Sequence, residues 1–268
     1  MDAREHSTVD LRLADPAAFA GIAVQGLSKS FGPKVVLDRC DLTIRKGETL
    51  VIIGRSGQGK SVLLKLMVRL LEPDAGRVWV EGQELTALGR RPLMELRKNF
   101  GMLFQGAALF DSMTVGENVG LILQEHRDWS EERIRARARE CLELVGLVGT
   151  DDKLPSALSG GMKKRAGLAR AIVMQPQYIL YDEPTTGLDP ITADAINDLI
   201  IKLQRELRVT SIVVTHDMQS AYKVADRMVM LNDGRIIFDG TVDEVRGTDH
   251  PAVRQFIEGR AEGPLGVF

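Results

Sequence analysis

The sequence predicts an α/β fold: a parallel core carrying a phosphate-binding loop, with an antiparallel β lobe before it and a helical subdomain inserted in it. Three observations lead there. Thr49 to Ile53 is an unbroken apolar run of strand length, followed by a glycine-rich loop and then a helix from Lys60 with Val62, Leu63, Leu66, Met67 and Leu70 on one face. Two more apolar runs, Tyr178 to Tyr181 and Ser211 to Thr215, bracket an amphipathic segment from Ile191 to Leu207. Between these blocks, Trp129 to Val145 sets Ile134, Ala138, Cys141, Leu142 and Val145 as an apolar stripe in a Glu/Arg-rich helix.

In chain order, residues 1–20 are unpatterned and read as a loose N-terminal arm. Residues 21–248 are expected to form the main α/β domain, and about 106–165 its helical subdomain. The runs Ile22 to Leu27, Val35 to Leu37 and Leu42 to Ile44 are broken by Gly32-Pro33 and by polar residues, which suits short antiparallel strands with turns. Near the end, Asn232-Asp233-Gly234 separates Arg227 to Leu231 from Arg235 to Phe238, a strong hairpin signal. In the tail, 249–268, the residues Gly259, Gly263, Pro264 and Gly266 disfavour regular structure.

Composition narrows the function. The 268 residues suffice for one sizeable core, and 44% hydrophobic with 27% charged residues is ordinary for a globular chain. A net charge of -2 with dispersed basic residues gives no footprint for nucleic acid, which is not an expected partner. Cys40 and Cys141 have no partner at metal or redox spacing, which suits a reducing cytoplasm. No apolar run reaches the roughly 20 residues that span a bilayer, and Met1 to Ala20 lacks the pattern of a signal peptide. If the protein serves a membrane, another chain must cross it.

The chemistry sits in short motifs. Gly54-Arg55-Ser56-Gly57-Gln58-Gly59-Lys60-Ser61, running on into Val62, fits G-x-x-x-x-G-K-[ST] between a strand and a helix. Its amides and the helix N-terminus suit phosphates, Lys60 the β- and γ-phosphates of ATP, and Ser61 a Mg²⁺ ion. The strand Tyr178 to Tyr181 ends in Asp182-Glu183, where Asp182 suits the metal and Glu183 a general base for the attacking water. His216 follows another strand onto the same edge.

Leu158-Ser159-Gly160-Gly161-Met162 resembles the signature sequence of the ATP-binding cassette family. On that resemblance, Gln105 is the glutamine sensing γ-phosphate and metal, Gly187-Leu188-Asp189 the segment contributing Asp189, His216 the switch histidine and Phe31 the aromatic that stacks on adenine. The resemblance also implies a homodimer in which Ser159, Gly160, Gly161 and Met162 of one copy close over the ATP of the other. Met162 in place of glutamine, and the run Gln105 to Val119, are similar to the ATPase subunits of Mla/Mce-type phospholipid transporters of diderm bacteria. Gly106-Ala107-Ala108 stands where that subgroup is expected to carry serine-glycine-alanine. The implied partners are an integral membrane permease touching 105–119, periplasmic lipid-binding subunits and small regulatory subunits. The implied place is the cytoplasmic face of the inner membrane, and the tail becomes a docking element. An amino-acid or other small-solute importer shares nearly all these motifs. A soluble cassette acting on DNA or ribosomes lacks its expected coiled coils or second cassette here, and a small-molecule kinase leaves the signature unexplained.

Overall fold

The computed structural model describes residues 15–126 and 128–266, so most of the expected N-terminal arm lies outside the described residues. Of that arm, Pro16–Ala18 form a single 3-10 turn capped by Asp15. In chain order the elements are β1 (Gly21–Phe31), β2 (Lys34–Arg45), β3 (Thr49–Ile53), α1 (Lys60–Met67), β4 (Ala75–Val80), β5 (Gln83–Glu84), α2 (Arg90–Arg97) and β6 (Phe100–Leu103). Then follow α3 (Val115–His126), α4 (Glu131–Leu144), α5 (Gly160–Ile172), β7 (Tyr178–Asp182), α6 (Pro190–Leu207) and β8 (Thr210–Thr215). The chain closes with α7 (Met218–Val224), β9 (Arg227–Asn232), β10 (Arg235–Gly240), α8 (Val242–Gly247) and α9 (Pro251–Glu258). Residues group into two compact units, one of 1–90 with 214–268, the other Arg91–Val213.

In the first unit, β1 pairs antiparallel with β2 and with β4, and β4 with β5, giving the order β2-β1-β4-β5. The three short runs expected over 22–44 are in fact two long strands. Arg39 takes a left-handed conformation (φ 50) that absorbs a register shift, so β2 runs on through it. A second sheet in this unit has β3 parallel to β9 and β9 antiparallel to β10. All five residues of β3 are buried, as an unbroken apolar strand requires. Asp233 (φ 47) and Gly234 (φ 77) form the hairpin turn that Asn-Asp-Gly foretold. Helix α1 ends at Met67, so Leu70 lies beyond the helix and is 47% exposed instead of completing its apolar face.

One buried charge cluster organises this unit. Arg227 donates from Nε to Asp239 (2.6 Å), from Nη1 to Glu48 (2.6 Å) and from Nη2 to the Thr43 carbonyl (2.7 Å). A single guanidinium thus joins β9, β10, the end of β2 and the turn before β3. The three charged side chains are only 9–11% exposed, so none can fall back on water.

In the second unit, β6 and β7 run parallel with Phe100 opposite Tyr178 and Leu103 opposite Tyr181, in the order β8-β7-β6. The rings of Phe100 and Tyr178 stack at 5.0 Å. The charged segment from 129 folds as α4, with Ser130 as its N-cap and Ile134, Ala138, Cys141 and Leu142 buried as the spacing predicts. The fully buried Asn118 of α3 holds the loop before it: its Oδ1 accepts from Phe110 N, and its Nδ2 donates to the carbonyls of Phe110, Met113 and Thr114. Among the described residues no helix is long and apolar enough to cross a membrane.

Two measurements check this packing. Arg227→Met leaves Glu48 and Asp239 buried without their cation, and urea unfolding should show a loss of about 3–5 kcal/mol; a loss no larger than that of an exposed arginine would refute the cluster's role. Burial pushes the Cys40 thiol up to about 12 and the Cys141 thiol up to about 11. At about pH 8 neither should react with Ellman's reagent until urea is added. Because Cys40 belongs to the first unit and Cys141 to the second, any difference in their rates reports separate opening of each.

Candidate functional site

Beyond the buried end of β3 the chain must turn sharply beside β9. A Cβ on Gly54 would lie 2.4 Å from the Leu231 carbonyl oxygen, and its φ of +152 excludes other residues besides. Gly57 and Gly59 take φ of +79 and +97, and the loop runs straight into α1. The Lys60 side chain opens that helix and folds back over the loop: its Nζ donates to the carbonyls of Gly54 (2.8 Å) and Arg55 (3.1 Å). Lys60 is buried, Ser61 and Val62 are half-buried, and Ser56 and Gly57 are exposed. Gln58 accepts from the Asp233 amide at 2.7 Å, tying the loop to the β9–β10 turn. Arg55 donates to the Gly266 carbonyl, so the tail reaches the same loop.

The tail is ordered through its own contacts. Gln255 of α9 donates to the carbonyls of Arg260, Ala261 and Leu265 and accepts from the Leu265 amide, and Leu265 is buried. The glycines that disfavour regular structure are used here as turns: Gly259 ends α9 in the left-handed region, and Gly263 sits at φ +150 against Gln255. Also in the first unit, Phe31 ends β1 with 47% of its surface exposed and Lys29 5.5 Å over its ring. That exposure separates it from the core and leaves it available as a stacking surface. His216 is exposed one residue past β8, and Asp217 after it caps α7.

The second unit gathers the remaining candidates. Because β6 and β7 are parallel and in register, Gln105 and Asp182-Glu183 leave the sheet at the same edge. Gln105 is exposed, whereas Asp182 and Glu183 are 5% and 8% exposed. Glu183 has φ 49, a left-handed conformation that costs a residue with a side chain about 1–3 kcal/mol. Its carboxylate accepts from Thr186 Oγ1 at 3.1 Å, and its carbonyl accepts from Thr186 N at 3.3 Å.

Ser159 is the N-cap of α5 and accepts from Met162 N, which leaves the first turn of a 13-residue helix open at Gly160. A Cβ on Gly161 would lie 2.4 Å from Thr192 of α6, so this glycine is a packing requirement. Asp189 is engaged as the N-cap of α6, accepting from Ile191 N, Thr192 N and Thr192 Oγ1.

Two basic residues that the sequence reading passed over belong to this unit's site. Lys164 of α5 is 5% exposed and donates both to the Gln105 carbonyl and to the Glu183 carbonyl (3.1 Å). Burial holds its ammonium below the ordinary lysine range, and the carboxylates of Asp182 and Glu183 work against that. Arg170, on the same helix, donates to the carbonyls of Ala107 (2.6 Å) and Ala108 (2.5 Å), both left-handed at φ 60 and 50. In the sequence they are two of the four cations in Lys163-Lys164-Arg165-Ala166-Gly167-Leu168-Ala169-Arg170, with nothing to set them apart from the other two.

The donor chemistry fits Mg²⁺ bound with a nucleotide. No cluster of three or more His, Cys, Asp or Glu exists among the described residues, and Mg²⁺ ordinarily takes one or two carboxylates, a hydroxyl and substrate phosphates. Ser61 and Asp182 are of those types.

Residues 37–186 match the ABC transporter family. The chain is 43% identical over 246 residues to a Mycobacterium tuberculosis protein named for ribonucleotide transport, the ATP-binding protein mkl, covering 92% of this chain and 68% of that one. It is 41% identical to the intermembrane phospholipid transport system ATP-binding protein MlaF of Haemophilus influenzae, over 91% of this chain and 92% of that one. An ATP-binding cassette solved as a dimer in a post-hydrolysis state with ADP and Pi matches with a TM-score of 0.75 and 33% identity, over 82% of this chain and 98% of that one. The chain therefore belongs to the ABC transporter family, as the ATP-binding subunit whose hydrolysis of ATP is coupled to transport.

Proposed function

We propose that this cassette powers phospholipid transport between the membranes of a diderm bacterium, as a homodimer docked on an integral membrane permease at the cytoplasmic face of the inner membrane. The observation that carries it is the 41% identity to MlaF across nearly the full length of both chains. The similar identity to mkl favours a second reading, a nucleotide or other small-solute transporter. The loop 105–119, with Phe110 53% exposed and held by Asn118, offers an apolar contact for the permease. The tail from 249 is proposed to dock a second copy or a small regulatory subunit, and periplasmic lipid-binding subunits complete the path.

In the proposed mechanism the Lys60 ammonium exchanges its loop carbonyls for the β- and γ-phosphates of ATP, whose negative charge repays it better than neutral carbonyls do. Loop amides from Gly54 to Ser61 and the start of α1 at Val62 supply further donors, and Phe31 stacks on adenine. Ser61, Asp182 and Gln105 would hold Mg²⁺, which would supply positive charge to offset that developing on the phosphates. Glu183 takes the proton of the attacking water, and His216 steadies the γ-phosphate. Ser159, Gly160, Gly161 and Met162 of one copy present the open start of α5 to the nucleotide of the other, and Asp189 lies beside that contact.

Two variants test the assignments. Lys60→Ala should weaken binding of a fluorescent ATP analogue about 10- to 100-fold; unchanged affinity would remove Lys60 from the site. Glu183→Gln should lower turnover about 100-fold or more while accumulating a dimer on ATP and Mg²⁺; wild-type turnover would reassign the base. For the cargo, the cassette reconstituted with its permease in liposomes should move fluorescent phospholipid on ATP addition, and movement of labelled nucleotide instead would favour the second reading.

A further inference from the structure

We propose that Lys164 is a positioning residue of the hydrolytic centre, its one ammonium fixing the backbone at Gln105 and at Glu183 together so that the two segments move as a unit with α5. The inference rests on the roles proposed above for Gln105 and Glu183.

Both segments are held against their own preference. Glu183 and Ala107 and Ala108 occupy left-handed backbone that residues with side chains avoid, and such conformations persist only where the surroundings over-determine them. For Glu183, Lys164 and Thr186 both donate to the carbonyl. For the loop after β6, Lys164 donates at Gln105, and Arg170 donates at Ala107 and Ala108. Lys164, Gly167 and Arg170 lie three residues apart on α5, forming one row along the helix. At the middle of the row a Cβ on Gly167 would come 2.7 Å from Leu103 Cδ1 and 3.4 Å from the Ala107 carbonyl oxygen, so the loop lies directly on the helix. Lys164 reaches both the loop and the end of β7.

A packing role alone does not account for an ammonium at this place. Burying a cation is far costlier than burying a methyl group of the same reach, and it is tolerated where its donors are used. Here they are used on two carbonyls in different segments, beside Asp182 and Glu183. The same helix begins with Ser159 and Gly160, so a displacement of α5 on engaging a second copy's nucleotide is passed through Lys164 to Gln105 and Glu183 at once.

The experiment uses the full chain with Lys164→Met and Lys164→Arg. Amide hydrogen exchange without nucleotide should accelerate about tenfold or more in Lys164→Met over both 105–109 and 183–188, with α5 and α6 still protected. Turnover should fall about 10- to 100-fold with KM for ATP changed less than about twofold, and Lys164→Arg, which keeps a buried donor cation, should recover most of it. Loosening of only one segment, uniform loosening across 91–213, unchanged turnover, or a rise in KM alone would each overturn the proposal. If Glu183→Gln itself turns over normally, the assignment of the base has failed separately, and the exchange measurement still decides whether Lys164 links the segments.

Discussion

Main-chain carbonyls at the ends of buried strands need donors, and in this chain buried lysines supply them at the two places where chemistry is expected. Lys60 closes the loop after β3 on the Gly54 and Arg55 carbonyls, and Lys164 closes the loops after β6 and β7 on Gln105 and Glu183. An ammonium suits the task because it has three donors and no acceptor and can serve carbonyls from different segments. The two sites differ in one respect. Lys60 donates to carbonyls of its own loop, which an incoming anion can replace, whereas Lys164 bonds two segments and cannot leave one without altering the other.

Much of this was legible in the residues, for reasons that vary with the range of the interaction. The glycine loop, the Asn232-Asp233-Gly234 turn, α4 and α6 are written in local spacing, and each falls within a residue or two of where that spacing puts it. Continuity of β2 was not legible, because polar residues look like a turn when nothing shows that Arg39 absorbs a bulge. Nor was the order of the tail, which depends on Gln255 reaching the Leu265 amide and carbonyl ten residues on. Lys164 escaped for a deeper reason: its partners are backbone atoms, which every residue has, so no pattern of side chains announces them.

The same point bears on how family motifs divide their labour. Gly161 and Asp189 sit in segments recognised for contact with nucleotide, yet in the chain itself Gly161 admits Thr192 and Asp189 caps α6. A substitution at Gly161 changes the packing of α5 on α6, and one at Asp189 the cap of α6, before either changes any bond to a ligand. Loss of activity there is therefore weak evidence for direct contact.

The tail carries a practical consequence. Arg55 in the phosphate loop donates to the Gly266 carbonyl, which ties that loop to the tail ordered by Gln255. A change at Gln255 or Leu265 that loosens the tail therefore also loosens the hold between Arg55 and Gly266. A substitution in α9 that lowers activity would then act on the phosphate loop from within its own unit, with no second chain needed to explain it.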